Sequence, residues 1–232
     1  KNGQWRPSAP NTSTYAGDPD DRDLVVRRKE QPGCREDAFD RRRKKALSAL
    51  VDGADRSPKG FLDARIEDFV AEVNREDDVF TTSTCSGRIS VMVQKDVIKA
   101  KGGQWIYSTH DIANSTEIIS SLRNVTDKNC TVTFRLEPFV MAMECRSLGR
   151  AKALMGAAIS TGFRESGIAH FTDRIVLTIR TSIRVEAPIL SLGHRLVSDE
   201  SLRILTELAN VKMKENWRRV RALREAWHGL SR

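Results

Sequence analysis

Apolar positions recur with helical spacing in several stretches of the chain and with strand spacing between them. Ile66, Phe69, Val70 and Val73 fall at i, i+3, i+4 and i+7, which predicts an amphipathic helix over residues 63–75. Phe39, Leu47 and Leu50 supply the apolar contacts of a helix over 40–50. Asn114, with Glu117 at capping-box distance, opens a helix to about residue 123. Ser147 caps a helix with Ala151, Leu154, Met155 and Ala158 on one face. Ser198 caps a last helix running to about residue 229, striped by Leu205, Ala209, Met213, Trp217, Val220 and Trp227. Between them, Ile89, Val91 and Val93 alternate with Ser90, Met92 and Gln94. Trp105 and Tyr107 share a face of a strand over 103–109. Residues 131–136 and 139–145 read as two strands broken at Glu137-Pro138, and 174–181 and 183–187 as two more. Helices and strands interspersed in this way predict a mixed α/β (α+β) single domain with a long C-terminal helix. A helix, a loop ending in Ser-Gly and a strand occur at Ser86-Gly87 and again at Ser166-Gly167, which suggests two β-α half-repeats.

Residues 1–37 break the pattern. They are poor in apolar residues and carry seven cations against seven anions, so they read as a disordered leader or linker before a domain at 38–232. The chain of 232 residues has a net charge of +8, which favours an anionic partner. The surplus concentrates in Arg41-Arg42-Arg43-Lys44-Lys45 and in the last helix, where seven cations face two anions from Val211 onward. A solvated face and a phosphate-binding face are equal readings of the first run. No stretch approaches the roughly 20 apolar residues of a membrane helix. Cys34, Cys85, Cys130 and Cys145 form no Cys-x-x-Cys pair, which argues against structural zinc and a disulfide scaffold; reduced thiols and a cytoplasmic location are expected. Gly102-Gly103 precedes a strand, not a helix, so no Rossmann fingerprint exists, and there is no P-loop.

Three constellations can carry chemistry. Thr82-Ser83-Thr84-Cys85-Ser86-Gly87-Arg88 offers hydroxyls, a thiol, a glycine for close approach and an Arg that forks onto an oxyanion. A Ser/Thr-rich turn with an ordinary ion pair is the plainer alternative. His110-Asp111 ends a strand; His110 suits proton transfer, although neighbours on a strand point apart and Asp111 need not touch it. Gly162-Phe163-Arg164-Glu165-Ser166-Gly167 follows a helix, where Phe163 either stacks on a base or accompanies a helix-terminating Gly162.

Together these residues resemble the tRNA wybutosine-synthesizing protein 3 family over about residues 39–224. The markers are Ser57-Pro58-Lys59-Gly60, Asp63, Ser83 to Arg88, Lys101-Gly102-Gly103-Gln104-Trp105, His110-Asp111 and Arg135-Leu136-Glu137-Pro138-Phe139. Cys145-Arg146, Gly162 to Gly167, Asn210-Val211-Lys212 and Glu215-Asn216 complete them. The resemblance implies a non-Rossmann fold and an S-adenosyl-L-methionine-dependent methyltransferase. Its expected reaction is N4-methylation of the aminocarboxypropyl-demethylwyosine base at position 37 of tRNA(Phe), near the anticodon, by a domain that plant-like organisms fuse to other wybutosine enzymes. On that basis His110 and Asp63 are the expected catalytic residues. Ser83, Cys85, Ser86, Gly87, Phe163, Ser166 and Gly167 are expected to hold the cofactor, and Lys59, Arg88, Arg146 and Arg164 the substrate, with no metal. A buried Asp63–Lys59 pair is an equal structural alternative. A non-catalytic tRNA-binding module or scaffold is the competing function.

Overall fold

A computed structural model describes residues 37–51, 62–95 and 103–230. The leader, Cys34, Lys59 with its Ser-Pro-Lys-Gly turn, and Lys101-Gly102 lie outside the described residues. In chain order the elements are α1 (Ala38–Val51), α2 (Glu67–Arg75), β1 (Val79–Gln94), β2 (Gln104–Thr109), α3 (Ser115–Arg123) and β3 (Thr131–Cys145). There follow α4 (Leu148–Ser160), β4 (Gly167–Phe171), β5 (Ile175–Ile179), β6 (Val185–Ser191), β7 (His194–Arg195) and α5 (Asp199–Leu230). The fold is α+β, with one open antiparallel sheet and a long C-terminal helix.

β1 and β3 form the spine of the sheet, in register from Val79 opposite Cys145 to Gln94 opposite Thr131. β2 lies on the outer edge of β1. The other edge of β3 is shared: β5 pairs with Met141 to Cys145, and β6 with Thr131 to Leu136. Residues 137–140 lie in the split between those two strands. Sequence reading broke the strand at Glu137-Pro138, whereas the chain runs straight through. Pro138 is tolerated because the pairing alternates: Phe139 directs its N–H toward β1, so Pro138 would direct its own toward the split, where no strand waits for it. The Ser/Thr-rich segment read as a loop is likewise the middle of β1.

Two apolar clusters form the core. One gathers Phe69, Val70 and Val73 of α2, Leu154 and Ala158 of α4, and Phe139, Met141 and Met143 of β3. The other gathers Ile118 and Leu122 of α3, Val132, Phe134 and Leu136 of β3, and Ile189 of β6. The β3 contributors change from even to odd numbers across Pro138, so the two halves of the strand present opposite faces to the two clusters. α5 serves both, through Leu202, Ala209 and Met213 at one end and Val220, Leu223 and Trp227 at the other. Caps fall where the sequence puts them. Asn114 accepts from Thr116 N–H, Ser147 Oγ from Arg150 N–H and Ser198 Oγ from Ser201 N–H. Leu50, expected as a contact of α1, is exposed; Phe39 anchors that helix edge-on against Phe80. The two Ser-Gly pairs are not equivalent in place, since Gly87 lies inside β1 and Gly167 begins β4.

Candidate active site

Ser86 stands opposite Phe139 in the β1–β3 ladder, yet side chains take the backbone groups at this pair. Phe139 N–H donates to Asn216 Oδ1 (2.8 Å), and Asn216 Nδ2 donates to the Ser86 carbonyl (2.9 Å). The carboxamide of α5 is thus inserted between the two central strands. Ser86 N–H donates to Asp63 Oδ2 (2.9 Å). The next carbonyl, that of Gly87, is 2.8 Å from His110 Nδ1. Gly87 holds φ at +111°, a conformation that favours glycine, and a Cβ there would stand 2.8 Å from Asn216 Nδ2. The ladder is opened at one pair, and three distant segments close it.

Asp63, only 7% exposed, also lies 3.2 Å from His110 Nδ1. Asp63 therefore orients the imidazole, while Asp111, the sequence neighbour, pairs with Arg65. A neutral ring that donates Nδ1–H to the Gly87 carbonyl keeps its lone pair on Nε2, the form a base requires. Asn210 of α5 fixes the segment after His110 by bonding both backbone groups of Ala113 (2.8 and 3.0 Å). Cys85 completes the group, and ligand atoms of Asp63, Cys85 and His110 lie within 4.8 Å of one another. These donor types would suit a metal, but Asp63 and His110 are already bonded to the backbone of Ser86 and Gly87. Burial pushes the Cys85 thiol up, away from the thiolate a nucleophile needs.

Cys85 and Arg88 also line a cavity of about 500 Å³ at the split in the sheet. Leu136 to Val140 also line it, with Glu165 and with Arg180, Thr181 and Arg184 of the β5–β6 linker. The linker is pinned. Ser166 Oγ accepts from Arg180 N–H (3.1 Å), and Arg219 of α5 donates to Thr181 Oγ1 (2.9 Å) and to the Gly162 carbonyl (3.0 Å). The segments expected to converge, 83–88 and 162–167, do meet here through Cys85, Arg88 and Glu165.

Several expected site residues stand elsewhere. Phe163 is fully buried and packs edge-on against Phe139, so it cannot stack on a ligand. The reason is local: Phe163 N–H bonds the Ala158 carbonyl and Gly162 N–H that of Ile159, the geometry of a glycine-terminated helix whose next residue folds into the core. The Ser166 hydroxyl is occupied by Phe163 O and Arg180 N–H, so it positions the linker. Arg146 reaches past the end of β3 to Asp37 and Asp40 and covers the Phe39 ring, which ties down α1. Arg164 borders a second cavity, beside Arg218 and Arg219, apart from Arg88. Ser83 is exposed on β1, and Gly167 begins β4. The basic runs are partly structural as well: Arg42 pairs with Glu144, Arg43 bonds the carbonyls of Asn74 and Glu76, and Arg224 pairs with Glu72. Sequence reasoning gave no site role to Asn210 and Asn216, although two amides inside an apolar helical stripe are themselves a signal, because a buried amide needs partners.

The sequence model described as Methyltransferase TYW3 matches residues 41–229. A Xenopus laevis protein named tRNA wybutosine-synthesizing protein 3 homolog is 34% identical, over 75% of this chain and 70% of its own length. The Schizosaccharomyces pombe tRNA wybutosine-synthesizing protein 3 is 31% identical, over 81% and 86%. An Arabidopsis thaliana protein named tRNA wybutosine-synthesizing protein 2/3/4 is 40% identical over 78% of this chain, but the match spans 20% of that longer protein. A solved structure from Pyrococcus horikoshii superposes with a TM-score of 0.73 at 26% identity, covering 81% of this chain and 94% of that one. With the match extending over almost all of the described fold, and relatives similar along most of their own length, the chain belongs to the TYW3 methyltransferase family.

Proposed function

We propose that the chain transfers a methyl group from S-adenosyl-L-methionine to N4 of the aminocarboxypropyl-demethylwyosine base at position 37 of tRNA(Phe). The observation that carries this reading is the cavity at the split between β5 and β6, lined by Arg88, Glu165 and Cys85, with the Asp63–His110 pair beside Cys85, in a chain of a methyltransferase family. The base nitrogen attacks the methyl carbon in line with sulfur. The N–C bond forms as the C–S bond breaks, and sulfur leaves with the electron pair as a neutral thioether. The proton of the nitrogen passes to His110 Nε2, whose ring is held at Nδ1 by Gly87 O and Asp63. Charge is dispersed during transfer, so alignment of nucleophile, methyl and sulfur supplies much of the rate. When bound, the cofactor supplies the activated methyl group; the protein binds, orients and takes up a proton. The names of the relatives support tRNA as substrate, and those of the plant relatives support a place in a fused wybutosine-synthesis protein.

The test is methyl transfer from labelled S-adenosyl-L-methionine to phenylalanine tRNA taken from cells lacking this step. The label should appear after digestion on the base at position 37. Saturable tRNA binding without adenosylmethionine binding or label transfer would replace this reading with that of a non-catalytic RNA-binding module.

A further inference from the structure

Trp105 belongs to neither apolar cluster. It stands on β2, an edge strand of the sheet, and is 39% exposed. Its cross-strand partner is Met92 of β1, so the two side chains leave the sheet on one face. Ile89 and Val91 enter the core from the other face. The register between β1 and β2 shifts beside Met92, so that Ile106 and Tyr107 both pack against the core while Trp105 turns away from it. The guanidinium of Arg88 lies over the indole, 4.3 Å from the ring centroid. Arg88 reaches along β1 to make this contact and leaves its Nε buried without an acceptor. The same Arg88 lines the cavity at the split, so the stacked pair begins where that cavity ends.

A lone exposed tryptophan calls for no ligand. This ring differs in two respects: a stacked cation holds its orientation, and that cation also borders the cavity. Shape and sign point to the occupant. An indole with a guanidinium on it is a flat, cationic platform, in a chain of net charge +8. A flat ring carried on an anionic backbone matches both properties, and only an unpaired base has its faces free to stack on a protein ring. We infer that the Arg88–Trp105 pair receives an unpaired RNA base, stacked on the indole, next to the one that enters the cavity. Trp105 and His110 are five residues apart, about 17 Å at about 3.3 Å per residue, a span that neighbouring nucleotides of one loop can bridge. The inference rests on the reading that the chain acts on tRNA, and it adds a second base contact where that reading names only the target.

The test titrates the full chain with a labelled anticodon stem-loop RNA and with a fully paired duplex of the same composition, over a range of salt. Trp105→Ala should weaken the stem-loop at least about fivefold and the duplex little. The slope of affinity against salt should stay that of the parent, because an indole neutralises no phosphate. Trp105→Phe keeps a ring and should lose no more than about threefold. The tryptophan emission of the parent should fall when the stem-loop binds, and Trp105→Phe should lose most of that fall while still binding. Parental stem-loop affinity in Trp105→Ala overturns the inference and leaves this face to a partner of another kind. Equal losses on stem-loop and duplex, a shallower salt slope, or a loss in Trp105→Phe as large as in Trp105→Ala also overturns it. The two readings fail separately. The pattern expected of Trp105 without methyl transfer would keep the platform and sink the enzymatic reading, and methyl transfer with parental binding by Trp105→Ala would do the reverse.

Discussion

Replacing Asn216 by leucine removes one carboxamide and leaves two strands to repair themselves. The side chain is fully buried and bonds Phe139 N–H and the Ser86 carbonyl at 2.8 and 2.9 Å. Leucine keeps the branched shape, though its methyl groups are bulkier than the amide's O and N, so the change is chiefly the loss of polar atoms with some crowding beside Gly87. Each orphaned buried group costs about 1–3 kcal/mol, giving about 2–6 kcal/mol for the pair. New apolar contact with Met213, already beside Nδ2, returns up to about 1 kcal/mol. A net loss of about 1–6 kcal/mol is expected, a large share of the roughly 5–15 kcal/mol that holds a domain together. Urea unfolding should show a lower midpoint at unchanged slope. Asn210→Leu, which frees both backbone groups of Ala113, should cost a similar amount. A stability for Asn216→Leu within about 0.5 kcal/mol of the parent would refute the reasoning, because it would mean that Ser86 and Phe139 close their own ladder once the amide is gone.

His110→Ala should lower the turnover of the folded protein at least about tenfold, about 1.4 kcal/mol in the barrier; a parental rate would remove His110 from the chemistry. Hydrogen bonds from Arg218 and Arg219 hold the Glu215 carboxyl at about 2, and those from Arg224 lower Glu72. Both values lie below those of the unfolded chain, so their stabilisation is full above about pH 4.5 and drains away as pH falls toward about 2. Glu215→Gln should therefore flatten the acid limb of a stability–pH curve and leave its neutral limb parallel to that of the parent. Burial pushes the Cys145 thiol up to about 12, so a maleimide at pH 8 should leave it unlabelled in the native protein and label it in guanidinium, as mass spectrometry of its peptide would show. Raising salt should weaken tRNA binding far more steeply than adenosylmethionine binding; parallel slopes in titrations of the two would argue against phosphate contacts by exposed cations such as Lys214 and Arg221.

Local chemistry made the helices legible. Ile66, Phe69, Val70 and Val73 are buried as their spacing requires, and Asn114, Ser147 and Ser198 cap as their side chains allow. The middle of β1 and β3 was not legible, because what stabilises it is remote. Ser86 donates to Asp63, 23 residues away, and accepts from Asn216, 130 residues away, and no window of sequence contains both. A Ser/Thr run and a proline then look like a loop and a break. His110 and Asp63 could each be singled out by residue type, but their pairing depends on β2 lying along β1. Phe163 misled for the opposite reason: its aromatic ring suggested a ligand, while the helix end at Gly162 directs it to the core. Arg180 and Arg184 sit in a short linker with no periodicity, and only the split in the sheet shows what they face.

The double duty of α5 has a consequence for how this protein is made. A ribosome releases the chain from its amino end, and a domain condenses as its parts emerge. Here Leu202, Ala209 and Met213 complete one apolar cluster and Val220, Leu223 and Trp227 the other, so neither closes until the last helix is out. Until then the sheet carries uncovered apolar faces, and Ser86 and Phe139 lack the amide that separates and satisfies them. The nascent domain thus exposes apolar surface through most of its synthesis. Both clusters are completed by the emergence of that single helix.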